Sequence, residues 1–115
     1  MRFITKKIHS YLDYPVAVSL MVLPFLLGLG ESNPIALYLS VIVGVAALGL
    51  TILTDHHTGL LPIISYRLHL LVDGAVAVLF ILAPFIFSFE GLDAYFYWIN
   101  GAAVLLVVSL HKKEA

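Results

Sequence analysis

Apolar residues run almost unbroken through four stretches of the chain: roughly Tyr14–Leu29, Pro34–Leu53, Gly74–Phe89 and Ala94–Leu110. Continuous runs, rather than strict alternation, argue against membrane β-strands and for helices. A bilayer-spanning helix needs about 20 apolar residues, within a range of about 17–25. The second stretch meets that alone. The first and third borrow length from Ile8-His9-Ser10-Tyr11-Leu12-Asp13 and Leu68-His69-Leu70-Leu71-Val72-Asp73, so their helices are expected to start near residues 8 and 68, with Asp13 and Asp73 in the first turns. Asn33 before Pro34 reads as a cap on the second helix, and Asp93 as a cap on the fourth.

Composition agrees with that pattern. Of 115 residues, 62% are hydrophobic and only 11% charged, against about 25% charged in a soluble domain. Mean hydropathy is +1.06. Disorder and a disulfide-stapled scaffold are excluded, the latter because the chain has no cysteine. A net charge of -1 gives no basic footprint for nucleic acid. The expected surroundings are the lipid bilayer, with a second copy or another membrane protein as further candidate partners.

Charge then orients the spans. Arg2, Lys6, Lys7, Arg67, Lys112 and Lys113 lie at the two ends and in the middle loop, whereas the other two turns hold only Glu31, Glu90 and Asp93. The positive-inside rule places both termini and the middle loop in the cytoplasm. A basic start before an apolar run also fits a signal peptide, with small residues at Gly28-Leu29-Gly30 for cleavage; the recurrence of the same helix inside the chain argues for retention.

That recurrence has a register of sixty. His9 aligns with His69, Asp13 with Asp73, Val16-Ala17-Val18 with Val76-Ala77-Val78, and Pro24-Phe25 with Pro84-Phe85. After a three-residue deletion in the outer turn, Tyr38 meets Tyr95 and Gly44 meets Gly101. The expected fold is all-α: one polytopic membrane domain over 1–115, with repeat 1 at about 1–57 and repeat 2 at about 61–115. Its four transmembrane helices form two tandem parallel-repeat hairpins about a pseudo-twofold axis along the membrane normal.

The pattern resembles the SPW-repeat family of small membrane proteins, whose repeat is a two-helix unit carrying Ser-Pro-Trp. The tripeptides here are Leu23-Pro24-Phe25 and Ala83-Pro84-Phe85, so the proline is kept while the serine and tryptophan are not. The resemblance implies a tandem membrane hairpin and brings no active site with it.

Three sets of residues are singled out. Pro24 and Pro84 each remove a backbone hydrogen bond and are expected to kink their helices. Ala36, Ser40 and Gly44 repeat every four residues, with Gly101 in the fourth helix, as small residues that admit a close neighbour. Tyr11, Tyr14 and Tyr66 on one side, and Tyr38, Tyr95, Tyr97 and Trp98 on the other, read as interfacial anchors. The set with chemistry is polar: His9 and Asp13 share a helix face, as do His69 and Asp73. If both faces turn to the axis, two imidazoles and two carboxylates converge, a donor set that suits a divalent metal such as zinc. His56 and His57 are additional ligand candidates. The plain alternatives are an N-cap at Asp13 before Pro15 and a local His–Asp pair duplicated with the hairpin.

No cysteine nucleophile, glycine-rich phosphate loop or HEXXH signature occurs, so no catalytic set is legible. Three functions stay open: a non-catalytic structural or interaction module, a metal-binding protein or metal-dependent hydrolase working at the cytoplasmic face, and a small transporter or channel.

Overall fold

A computed structural model of the chain describes residues 6–54 and 63–109, the side chains of residues 6–10 and 66 excepted. Among the described residues four helices follow in order: α1 (Lys6–Leu27), α2 (Ile35–Leu53), α3 (Tyr66–Ile86) and α4 (Leu92–Ser109). The only strand-like feature among them is a lone parallel bridge between Thr54 and Ile64. Three helices are long and apolar enough to cross a membrane: Ile35–Leu53, Arg67–Ile86 and Leu92–Ser109. The apolar run of α1, Tyr11–Leu27, is shorter than these, and the 22-residue helix reaches about 33 Å only with the turn that carries Lys6 and Lys7.

Local chemistry sets the helix ends. Asn33 Oδ1 accepts from the Ile35 N–H at 3.0 Å, and its carbonyl accepts from Ala36. Ser65 Oγ caps α3 by accepting from Leu68 N–H at 3.2 Å. At the far ends of α1 and α3, the Pro24 carbonyl accepts from Leu29 N–H (2.9 Å) and the Pro84 carbonyl from Phe89 N–H (3.0 Å). These are six-residue closures of the Schellman type, which require a left-handed residue just before the last donor. Gly28 (φ 70°) and Ser88 (φ 56°) occupy that place. Both prolines thus lie in the final turns of unbroken helices, where their carbonyls help to close the helix end. Helix α1 also continues past Pro15, so Asp13 is not its cap; it sits seven residues past the helix start, about 10 Å along the axis, beyond the first turn expected.

Each hairpin closes on a glycine. A methyl group added at Gly44 of α2 would come within 2.6 Å of Met21 Cγ and 2.9 Å of the Ala17 carbonyl on α1. One added at Gly101 of α4 would meet the Ala77 carbonyl and Ile81 on α3 at 3.0 Å. Ala36, Ser40, Gly44 and Gly101 are all buried, and the small-residue ridge of α2 therefore meets helices of its own chain.

The buried apolar cluster gathers Leu20, Leu29, Ala36, Phe80, Phe89 and Tyr97 with their neighbours, all in the half of the bundle nearest the α1–α2 and α3–α4 turns. Tyr97 packs at a tilt against Phe80 (centroids 4.5 Å apart) and Phe89 (4.8 Å) and donates its hydroxyl to the Ala36 carbonyl at 2.8 Å. It is a core residue and not the interfacial anchor expected. Tyr38 and Tyr95 are exposed, while half-buried Trp98 donates to the Ile81 carbonyl.

At the same end the two turns interlock. The buried Asp93 carboxylate accepts from Gly30 N–H (2.9 Å), Ser32 N–H (3.0 Å) and the Ser32 hydroxyl (2.6 Å). Ser32 Oγ in turn accepts from Glu90 N–H, and Asn33 Nδ2 donates to the Phe87 carbonyl. Asp93 was expected to cap α4; it instead collects the orphan donors of the other hairpin's turn. This clasp leaves the opposite half of the bundle to be joined by different residues.

Candidate functional site

In that opposite half, His69 stands at the centre of a polar cluster. It lies one turn into α3, its N–H on the Ser65 carbonyl (3.1 Å), and the side chain is almost fully buried. Asp73 follows one turn later on the same face, and its Oδ2 is 3.2 Å from His69 Nε2. Asp13 Oδ2, arriving from α1, is also 3.2 Å from Nε2. The Asp13 side chain is 12% exposed and that of Asp73 18%, so the two carboxylates close over the imidazole from different hairpins.

The other ring nitrogen is held from α2. Thr54, at the C-terminal end of that helix, places Oγ1 2.7 Å from His69 Nδ1, and its hydroxyl donates to the Leu50 carbonyl. A carbonyl can only accept, which commits the one hydroxyl proton to Leu50. The Thr54 oxygen therefore accepts from His69, and Nδ1 carries the proton. Nε2 is then the nitrogen that faces both carboxylate oxygens, and one ligand atom from each of the three side chains lies within 4.8 Å of the others.

A cavity of about 170 Å³ borders the cluster and is lined by Asp13, His69, Asp73, Thr51 and Asn100, with Leu12, Val16 and Val104 among its apolar walls. It adjoins a second, apolar one of about 220 Å³ that shares Val16, Ala47, Asp73 and Val104 and reaches Leu20 and Val43. Together they form a cleft between the hairpins, polar at one end. Such a shape, an apolar pocket with a few convergent polar groups, is the usual form of a small-ligand or metal site.

Of the sequence candidates, Asp13, His69 and Asp73 are thus brought together. The His9 side chain, His56 and His57 lie outside the described residues. Thr54 was not anticipated, because its pairing depends on where α2 ends against α3; Thr51 and Asn100 likewise reach the cavity only through the packing of α2 and α4. The sequence signal available for Thr54 was a hydroxyl at a helix end directly ahead of Asp55-His56-His57.

In comparisons with known proteins, no family model, no curated protein and no solved structure matches the chain.

Proposed function

We propose that the chain is a polytopic membrane protein serving as a compact, non-catalytic structural or interaction module. In this reading it crosses the bilayer four times as two tandem hairpins related by a pseudo-twofold axis along the membrane normal. Both termini and the middle loop face the cytoplasm. The observation that carries it is the outer surface: every helix turns large apolar side chains outward, among them Phe25, Leu26, Ile42, Phe85, Ile99 and Leu106. In water such a belt would drive aggregation; in a bilayer it meets acyl chains. The lipid is accordingly the first partner, and a second copy or another membrane protein would use the same belt.

Matching contacts at matching positions support the duplicated hairpin. The Pro24–Leu29 and Pro84–Phe89 closures differ by sixty residues, and Gly44 on Ala17 answers Gly101 on Ala77. The kinship with the SPW-repeat family is part of this proposal and rests on the same tandem hairpin. Transport is less well supported, since between the His69 cluster and the Asp93 clasp the described cleft is walled by Leu20, Val43, Val72 and Val76, with no polar path among the described residues.

The arrangement is tested by single cysteines placed at residue 3, at Glu31, at Glu90 and at residue 114, probed with a membrane-impermeant thiol reagent in intact cells and in inverted vesicles. Labelling of Glu31→Cys and Glu90→Cys from outside, and of the two terminal positions only from the cytoplasmic face, is the expected outcome. Labelling of the two termini from opposite faces would refute it.

A further inference from the structure

The geometry points to a divalent transition-metal site of the zinc class, with Asp13, His69 and Asp73 as three ligands and the adjoining cavity as the fourth position. It deepens the membrane reading by naming what the inner contact between the hairpins holds, and it stands on side-chain geometry that does not require that reading.

Three observations carry it. The first is the tautomer. Thr54 fixes the proton on Nδ1, which leaves Nε2 as the nitrogen with a lone pair in a neutral imidazole, aimed between two carboxylate oxygens. A metal ion placed among these three atoms would meet the Nε2 lone pair and one oxygen of each carboxylate. An imidazole held through its far N–H is also the usual outer-shell arrangement of a metal-ligating histidine.

The second is distance. A charge-assisted N–H···O bond to a carboxylate is typically about 2.7–2.9 Å, whereas both Nε2–Oδ2 separations are 3.2 Å. Tetrahedral zinc with Zn–N and Zn–O bonds of about 2.0–2.2 Å sets neighbouring ligand atoms about 3.3–3.5 Å apart. The two Nε2–Oδ2 separations lie near the edge of a coordination tetrahedron, while the three ligand atoms as a set spread over as much as 4.8 Å, so the two carboxylates have to draw together by side-chain rotation to close on an ion. Two aspartates and a neutral imidazole also balance the charge of a divalent ion, which lowers the cost of placing it between apolar helices.

The third is room. The cavity of about 170 Å³ opens directly on the three ligands, and a single water needs only about 10–15 Å³. An open fourth position occupied by water or another oxygen donor is the arrangement of three-ligand zinc sites. Thr51 and Asn100 line the cavity beside it.

The test uses the full chain in detergent micelles, stripped with a chelator and titrated with Co²⁺ and then Zn²⁺. One equivalent of cobalt should give the intense visible bands of tetrahedral coordination, and zinc should displace it one for one. Asp13→Asn and Asp73→Asn should each weaken zinc binding at least 100-fold, and Thr54→Val about 10- to 100-fold, the range for loss of an outer-shell partner. Wild-type protein that stays helical but gives no tetrahedral bands and no saturable uptake would overturn the proposal, leaving a proton on Nε2 and a plain ion pair. Stoichiometric uptake unchanged by either aspartate substitution would overturn it too. The cobalt spectrum needs only the wild-type chain, so a variant that fails to fold does not decide the matter, and neither result depends on the cysteine labelling that tests the topology.

Discussion

At the scale of single residues, Pro24 and Ser40 explain one another. Proline has no N–H, so Pro24 cannot bond the carbonyl four residues earlier, that of Leu20. In an apolar surrounding an orphaned carbonyl is costly. Ser40 on the neighbouring helix donates its hydroxyl to that carbonyl at 2.8 Å. The pair sets up a cycle: Ser40→Ala alone should destabilise the protein by about 1–2 kcal/mol, the upper range for polar contacts between membrane helices. In a Pro24→Ala background, where residue 24 regains its N–H and bonds Leu20 within the helix, the same change should cost measurably less. Unfolding in mixed micelles reads both values, and equal costs in the two backgrounds would disconnect the serine from the proline. Ser40 was legible in the sequence as a small residue on a packing ridge. Its second task was not, because the acceptor lies twenty residues away and is defined by a bond that the proline lacks.

Among the elements, the helices and their pairing were the most legible part. Four long apolar runs, bounded by glycine, asparagine and proline, left few alternatives, and the helices observed start within two residues of the positions expected for the first and third. The glycine at each hairpin's closest approach was legible as well, although its partner was not. These contacts are sharply position-dependent. Gly44→Ala should cost about 1–3 kcal/mol, as overpacking of a tight interface does, because its new methyl group meets Met21 and a backbone carbonyl well inside contact distance. Gly49→Ala, on the same helix with nothing within 4 Å, should be neutral or stabilise by up to about 1 kcal/mol through helix propensity. Similar costs at the two sites in a micelle unfolding assay would contradict the packing described. Asp93 shows where element-level reading stops. An aspartate at the start of a helix is a sound cap by local chemistry, yet its carboxylate serves Gly30 and Ser32. That use depends on the start of α4 lying beside a turn more than sixty residues earlier in the chain.

Across the whole molecule, the two hairpins are tied at both ends and differently at each. The turn end carries the aromatic core and the Asp93 clasp; the other end carries His69 between two carboxylates, with the cleft beside it. The repeated His-x-x-x-Asp was enough to nominate Asp13, His69 and Asp73, because charged residues are few in a chain so apolar. It pointed to two equivalent halves, whereas the described site has one imidazole at its centre, held by a threonine with no repeat-related threonine: the corresponding position is His111, outside the described residues. The central claim is that Asp13 of one hairpin and Thr54 at its end grip the two nitrogens of a histidine in the other. Nitrogen-15 NMR of histidine side chains in the micelle-embedded chain tests this directly, with the His69 signals assigned by their loss in His69→Gln. The account predicts that Thr54→Val shifts the protonated Nδ1 resonance and that Asp13→Asn shifts Nε2. His69 resonances indifferent to both substitutions would contradict it.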